Sequence, residues 1–135
     1  MRTSGKIAMI LAFAVLLHAE ERMRAGLWEI SSKWNNDQAP AHNTCFTPQM
    51  VERGNLPAAE LRDATEKSLG KRAGCALKDF KLSGNTLSMR SVCGAKTLDI
   101  KTTYTKDAFE TVATSTEAGV IGVSRMKGRY LGACK

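Results

Sequence analysis

With 135 residues, 20 Lys and Arg against 13 Asp and Glu, and four cysteines, the chain is small, basic by +7 and sized for one hydrophobic core. Its cations are scattered, the densest spots being "GKRAG" and the spaced trio Arg125, Lys127 and Arg129. The clustered basic stripe with interleaved aromatics that marks a nucleic-acid binder is missing.

The first nineteen residues, "MRTSGKIAMILAFAVLLHA", carry Arg2 and Lys6, then an apolar run from Ile7 to Leu17, then the small residue Ala19. That order reads as a secretory signal peptide cleaved after Ala19, leaving residues 20–135 as a single secreted domain. A buried first helix competes, but all-round hydrophobicity beside two N-terminal cations argues against it. The run is also too short to span a membrane, which takes about 20 apolar residues. Cleavage removes Arg2 and Lys6, so 18 cations face 13 carboxylates and the charge falls to +5. No cysteine follows the cut, so no lipid anchor is indicated.

After the charged leader "EERMRA", the stretch "GLWEISSKW" puts Trp28, Ile30 and Trp34 on one side of a period-2 alternation and Glu29, Ser31 and Lys33 on the other, a half-buried strand. "NNDQAPAHN" is turn chemistry. Thr47 as N-cap, Pro48 at the first helical position and Gly54 as the stop predict a short helix, and Pro57 to Gly70 is a second candidate with a thin stripe of Ala58, Leu61, Thr65 and Leu69. From Cys75 onward the period changes to two. "CALKDFKLSG" and "NTLSMRSVC" flank Gly84 and Asn85, a two-residue hairpin connection. "TLDIKTTYT", "AFETVATST" and "VSRMKGRYLGAC" follow as strands, the last with Met126, Gly128, Tyr130, Gly132 and Cys134 on one side. Connections this short force antiparallel pairing, because a parallel crossover takes a dozen or more residues. The expected fold is therefore α+β and mainly β: an up-and-down antiparallel meander of about five to six strands, able to curl, with one or two short helices between the first strand and the meander.

Cys45, Cys75, Cys93 and Cys134 all follow the expected cut, and an even count in a small exported chain reads as two disulfides. Intervening stretches of 29, 17 and 40 residues contain no C-x-x-C pair, which argues against structural zinc and redox catalysis. A hairpin closed at Gly84 and Asn85 brings Cys75 within one residue of opposing Cys93, and one bulge would put them in register. Cys134 ends the fourth strand of a run counted from the strand that Cys93 ends, so those two fall at opposite ends of the sheet, beyond the roughly 7 Å limit on Cα separation. The favoured pairs are Cys75 with Cys93 and Cys45 with Cys134.

"GLWEI", "TCFTPQM", the "C....F..SGNTLSMRSVC" hairpin, "YTKDAF" and the terminal "RMKGRYLGAC" together resemble an exported bacterial family, the domain-of-unknown-function family 3617. The resemblance runs from Gly26 to Cys134 and keeps the order of all four cysteines. It implies a small periplasmic or secreted protein of Gram-negative bacteria and carries over no catalytic residue. The segment from Pro57 to Arg72 is longer and more helical than that pattern needs.

Little in the chain points to catalysis. The one histidine after the leader, His42, has no second histidine or nearby carboxylate in sequence. No nucleophile elbow, P-loop or dinucleotide fingerprint occurs. Met23, Met50, Met89 and Met126 form no Met-x-x-Met run, so core filling outweighs copper binding. No catalytic residue, metal site or cofactor is expected. What remains is an aromatic and apolar set: Trp28, Trp34, Ile100, Tyr104, Met126 and Tyr130, with Ile30 and Leu98, would line a pocket if the sheet curls and otherwise form the core. The leading expectation is a non-enzymatic module binding a protein partner or a small apolar or amphipathic ligand. The alternatives are an envelope-associated structural protein held by its positive charge, or an enzyme with a strand-borne carboxylate or Ser/Thr site.

Overall fold

The computed structural model describes residues 21–70 and 74–135. The expected leader, residues 1–19, and Arg72 at the end of the expected helical segment lie outside these. The elements are β1 (Gly26–Trp34), β2 (Asp37–Gln38), β3 (His42–Phe46), α1 (Pro48–Gly54), α2 (Ala58–Gly70), β4 (Cys75–Ser83), β5 (Thr86–Cys93), β6 (Lys96–Thr105), β7 (Ala108–Glu117) and β8 (Val120–Gly132). All strands join one open antiparallel sheet in the order β2-β1-β8-β7-β6-β5-β4, with β3 also on β1. The six long strands are those expected. Two short ones, β2 and β3, are additional, and they occupy and follow the stretch read as turn.

Both helices form where the sequence predicts them, α1 with the expected N-cap. The Thr47 hydroxyl accepts a hydrogen bond from the Met50 N–H at 3.3 Å, with Pro48 opening α1. In α2, Arg62–Glu66 and Lys67–Asp63 ion pairs at 3.3 and 2.8 Å decorate the exposed side, while Leu61, Thr65 and Leu69 are half-buried.

Two bulges set the cysteines. In β4, Lys78 pairs with Arg90 and Lys81 with Ser88, so Asp79 and Phe80 oppose the single residue Met89. Asp79 takes the left-handed conformation, φ 50°, and the extra residue brings Cys75 directly opposite Cys93. At the end of β8, Trp28 pairs with Tyr130 but Leu27 with Gly132, leaving Leu131 as the extra residue. The bulge breaks the expected one-sided run. Met126, Gly128 and Tyr130 share a face, whereas Gly132 turns to the face of Leu27 and its partner Cys45. Two residues on, Cys134 bonds Cys45 with a Cα separation of 5.7 Å, and Cys75 bonds Cys93 at 4.0 Å.

Register divides the sheet into an inner face, which carries Trp28, and an outer one. Ile30, Gly128, Phe109 and Tyr104 follow one another across the inner face, as do Trp34, Ser124, Ala113, Ile100 and Met89. The core is small: among the described residues Trp28, Ile30 and Leu87 are the buried apolar side chains. Trp28 is surrounded by Tyr130, Phe109 and Phe46, with ring centroids 5.6, 5.7 and 6.1 Å away.

Candidate binding groove

The helix α2 places Leu61, Ala64, Thr65, Ser68 and Leu69 on one side, the spacing of a single helical face. That face overlooks the inner surface of β5 and β6, where the cross-strand pairs Met89–Ile100 and Ser91–Leu98 form a floor. Between wall and floor is a groove of about 430 Å³, bordered at one end by Arg53 and Gly54 of α1. Its lining is mostly aliphatic, with hydroxyls at Thr65, Ser68 and Ser91. The Thr65 hydroxyl donates to the Leu61 carbonyl at 2.7 Å, so its polar demand is met within the helix. Such a surface can hold an apolar chain and meet an anionic group at one end, through Arg53.

All six residues expected to line a pocket stand on the inner face by register, but they do not share one cavity. Ile100 borders the groove. Trp28 is fully buried in the aromatic cluster, and Tyr130 packs beside it. Tyr104 borders a separate depression with Arg22 and Arg24. Burial holds its phenol above the usual range, opposed by the Arg22 charge and by a hydrogen bond with Thr102. Trp34 and Met126 are 50% and 39% exposed. Trp34 lies flat enough on β8 that a Cβ at Gly122 would come within 2.6 Å of its ring. His42 is exposed at the start of β3.

Arg22, Met23 and Arg24, in the charged stretch before β1, have a role that their sequence did not announce. Arg22 is only 7% exposed. Its guanidinium donates to the carbonyls of Gly54 and Leu56, satisfying acceptors at the end of α1 and just past it. Asn55 clasps the same segment, accepting from the N–H groups of Arg22 and Met23 and donating to the Met23 carbonyl at 2.7 Å. Arg24 stacks on the Tyr130 ring, 3.5 Å from its centroid, and pairs with Asp107 at 2.8 Å. The Arg24 carbonyl accepts from the Trp28 indole at 3.0 Å. This short stretch thus fixes the α1 end of the groove to the aromatic core.

Comparison with known families decides the lineage. The model of the family described as "Protein of unknown function (DUF3617)" matches residues 23–134. The chain belongs to the DUF3617 family. Its match begins at Met23, which Asn55 holds, and ends at Cys134, so the DUF3617 unit takes in the whole sheet and both disulfides, with Arg22 of the clasp just before it. No curated protein and no solved structure matches the chain significantly.

Two disulfides in this DUF3617 chain mark an oxidising, non-cytoplasmic compartment. No helix among the described residues is long and apolar enough to cross a membrane. Among the same residues, no group of three or more His, Cys, Asp or Glu is placed to hold a metal ion.

Proposed function

We propose that this DUF3617 protein is a non-enzymatic binding module, exported by its first nineteen residues to the periplasm or the medium of a bacterium, that holds a small amphipathic molecule between α2 and the sheet. The observation that carries the reading is the groove itself: an aliphatic floor and wall with the Arg53 cation at one end. The apolar part of the ligand lies on Met89, Leu98 and Ile100, and an acidic group meets Arg53. Several carboxylates an enzyme would need are already engaged, with Asp99 on Arg90, Glu29 on Arg129 and Asp107 on Arg24.

Native mass spectrometry of protein recovered from its own cell envelope tests this. The wild type should carry an added mass, and Ala64→Phe, which fills the groove from the helix side, should lose it. A wild type without ligand, or an added mass that survives Ala64→Phe, overturns the reading.

A second reading has its own observation. On the inner face beyond α2, Trp34 stands diagonal to Met126, with Val120 at the adjoining hairpin 72% exposed. This apolar patch fits a protein partner better than a small ligand. Cross-linking from position 34 in the native envelope distinguishes it.

A further inference from the structure

The outer face carries a row of cations that only the strand register assembles. Lys33 stands opposite Arg125, Arg125 opposite Val112, Val112 opposite Lys101, Lys101 opposite Ser88 and Ser88 opposite Lys81. Four cations therefore lie on one transverse line across β1, β8, β7, β6, β5 and β4. At the usual inter-strand spacing the line is about 24 Å long.

Some neighbouring charges on this face are paired, while Lys78 stands opposite Arg90 and Asp79 shares a depression with Lys101. Arg90 pairs with Asp99 at 2.6 Å and Arg129 with Glu29 at 3.1 Å, while Glu110 stands opposite Lys127. Among the described residues, none of the four cations in the row has an ion-pair partner. Lys33 and Arg125 oppose each other directly, an arrangement that costs stability in a sheet. An anion laid between them removes that cost.

We propose that this row is a docking track for a linear acidic polysaccharide, with its carboxylate or sulfate groups on Lys33, Arg125, Lys101 and Lys81. Three features select that occupant. First, neighbouring strands turn by roughly 20–25°, so over the five steps from β1 to β4 the row winds through on the order of 100°. A flat bilayer meets only part of such a row, whereas a flexible polymer follows it. Second, the row and the rows on either side of it carry no aromatic ring, so the stacking platform that single-stranded nucleic acids use is lacking. Third, a groove of about 450 Å³ runs beside the row on the same face and includes the hydroxyls of Ser31, Thr103 and Thr105, suited to sugar hydroxyls, with the carboxylates of Glu29 and Glu110 set against Arg129 and Lys127.

The test uses the purified, oxidised protein with labelled oligoalginate and heparin as carboxylate and sulfate probes. Both the wild type and a control lacking four cations elsewhere (R62Q/K67Q/K96Q/K106Q) should bind with equal affinity that weakens as salt rises. The row variant K33Q/K81Q/K101Q/R125Q should bind roughly tenfold or more weakly, as the loss of four exposed charge contacts predicts. Its thermal midpoint should be no lower than wild type, since it relieves the Lys33–Arg125 opposition. If it misfolds, the single variants K81Q and K101Q serve instead, each weakening binding where R62Q does not. Equal losses in row and control variants overturn the proposal. So does absence of binding to both polymers, or tighter binding to phosphatidylglycerol vesicles or to single-stranded DNA than to either.

Discussion

Gly128 stands directly opposite Phe109, and the Phe109 ring fills the space above it: a Cβ at position 128 would lie 2.0 Å from the ring edge. The ring in turn packs on Trp28. Gly128→Ala should therefore destabilise the protein by about 1–3 kcal/mol through overpacking. In a Phe109→Ala background, the same change should cost almost nothing, because the clash is with that ring. Urea unfolding of the two single variants and the double variant measures the coupling.

Arg22 is a buried cation whose partners are main-chain carbonyls rather than carboxylates. Arg22→Ala should cost about 2 kcal/mol, because carbonyls at the end of α1 lose charge-assisted bonds. Arg22→Lys should recover little, since an ammonium does not reproduce the guanidinium fork. Limited proteolysis should then cut first between α1 and α2, where wild type resists.

The two disulfides should differ in their contribution. Cys45 and Cys134 are 89 residues apart and Cys75 and Cys93 only 18. In the loop-closure model the long ring contributes about 4.5 kcal/mol and the short one about 3. C45S/C134S should therefore lower the urea midpoint more than C75S/C93S, with each variant still showing its remaining bridge in a non-reducing peptide map.

Tyr104 supplies an alkaline limb to the stability profile. Burial raises its phenol, against the Arg22 charge and the Thr102 hydrogen bond. An acid raised on folding favours its neutral form. Its contribution is complete below the unfolded value of about 10 and is lost as pH rises through the higher folded value. Tyr104→Phe should lose less stability than wild type between about pH 9 and 11 when thermal midpoints are compared across that range.

Much of the fold was legible because its signals are local. Alternation in "TLDIKTTYT" and the Gly84–Asn85 turn located the meander, and the pairing they imply brought Cys75 to Cys93 up to one bulge. β3 was hidden because "HNTCF" has little apolar alternation of its own and is held by pairing with β1. The groove was half visible: the thin stripe of Leu61, Thr65 and Leu69 on α2 is its wall, but nothing local said that Met89 and Leu98 would be its floor. The six aromatic and apolar residues expected to line a pocket share one face by register, yet a face is not a cavity. Trp28 vanished into the core while Trp34 stayed in the open. Arg22 was the least readable, since its acceptors are backbone atoms about thirty residues away that any sequence would supply.

The pairing of β1 with β8 has a consequence for the order of assembly. Trp28 is the centre of the core, yet its strand neighbour Tyr130 is made 102 residues later. Helices and hairpins between them can form as the chain emerges. The central indole has to wait for β8, so commitment to the native state depends on long-range closure, the slow kind. A chain cut short before β8 would expose its most hydrophobic ring and never seal it.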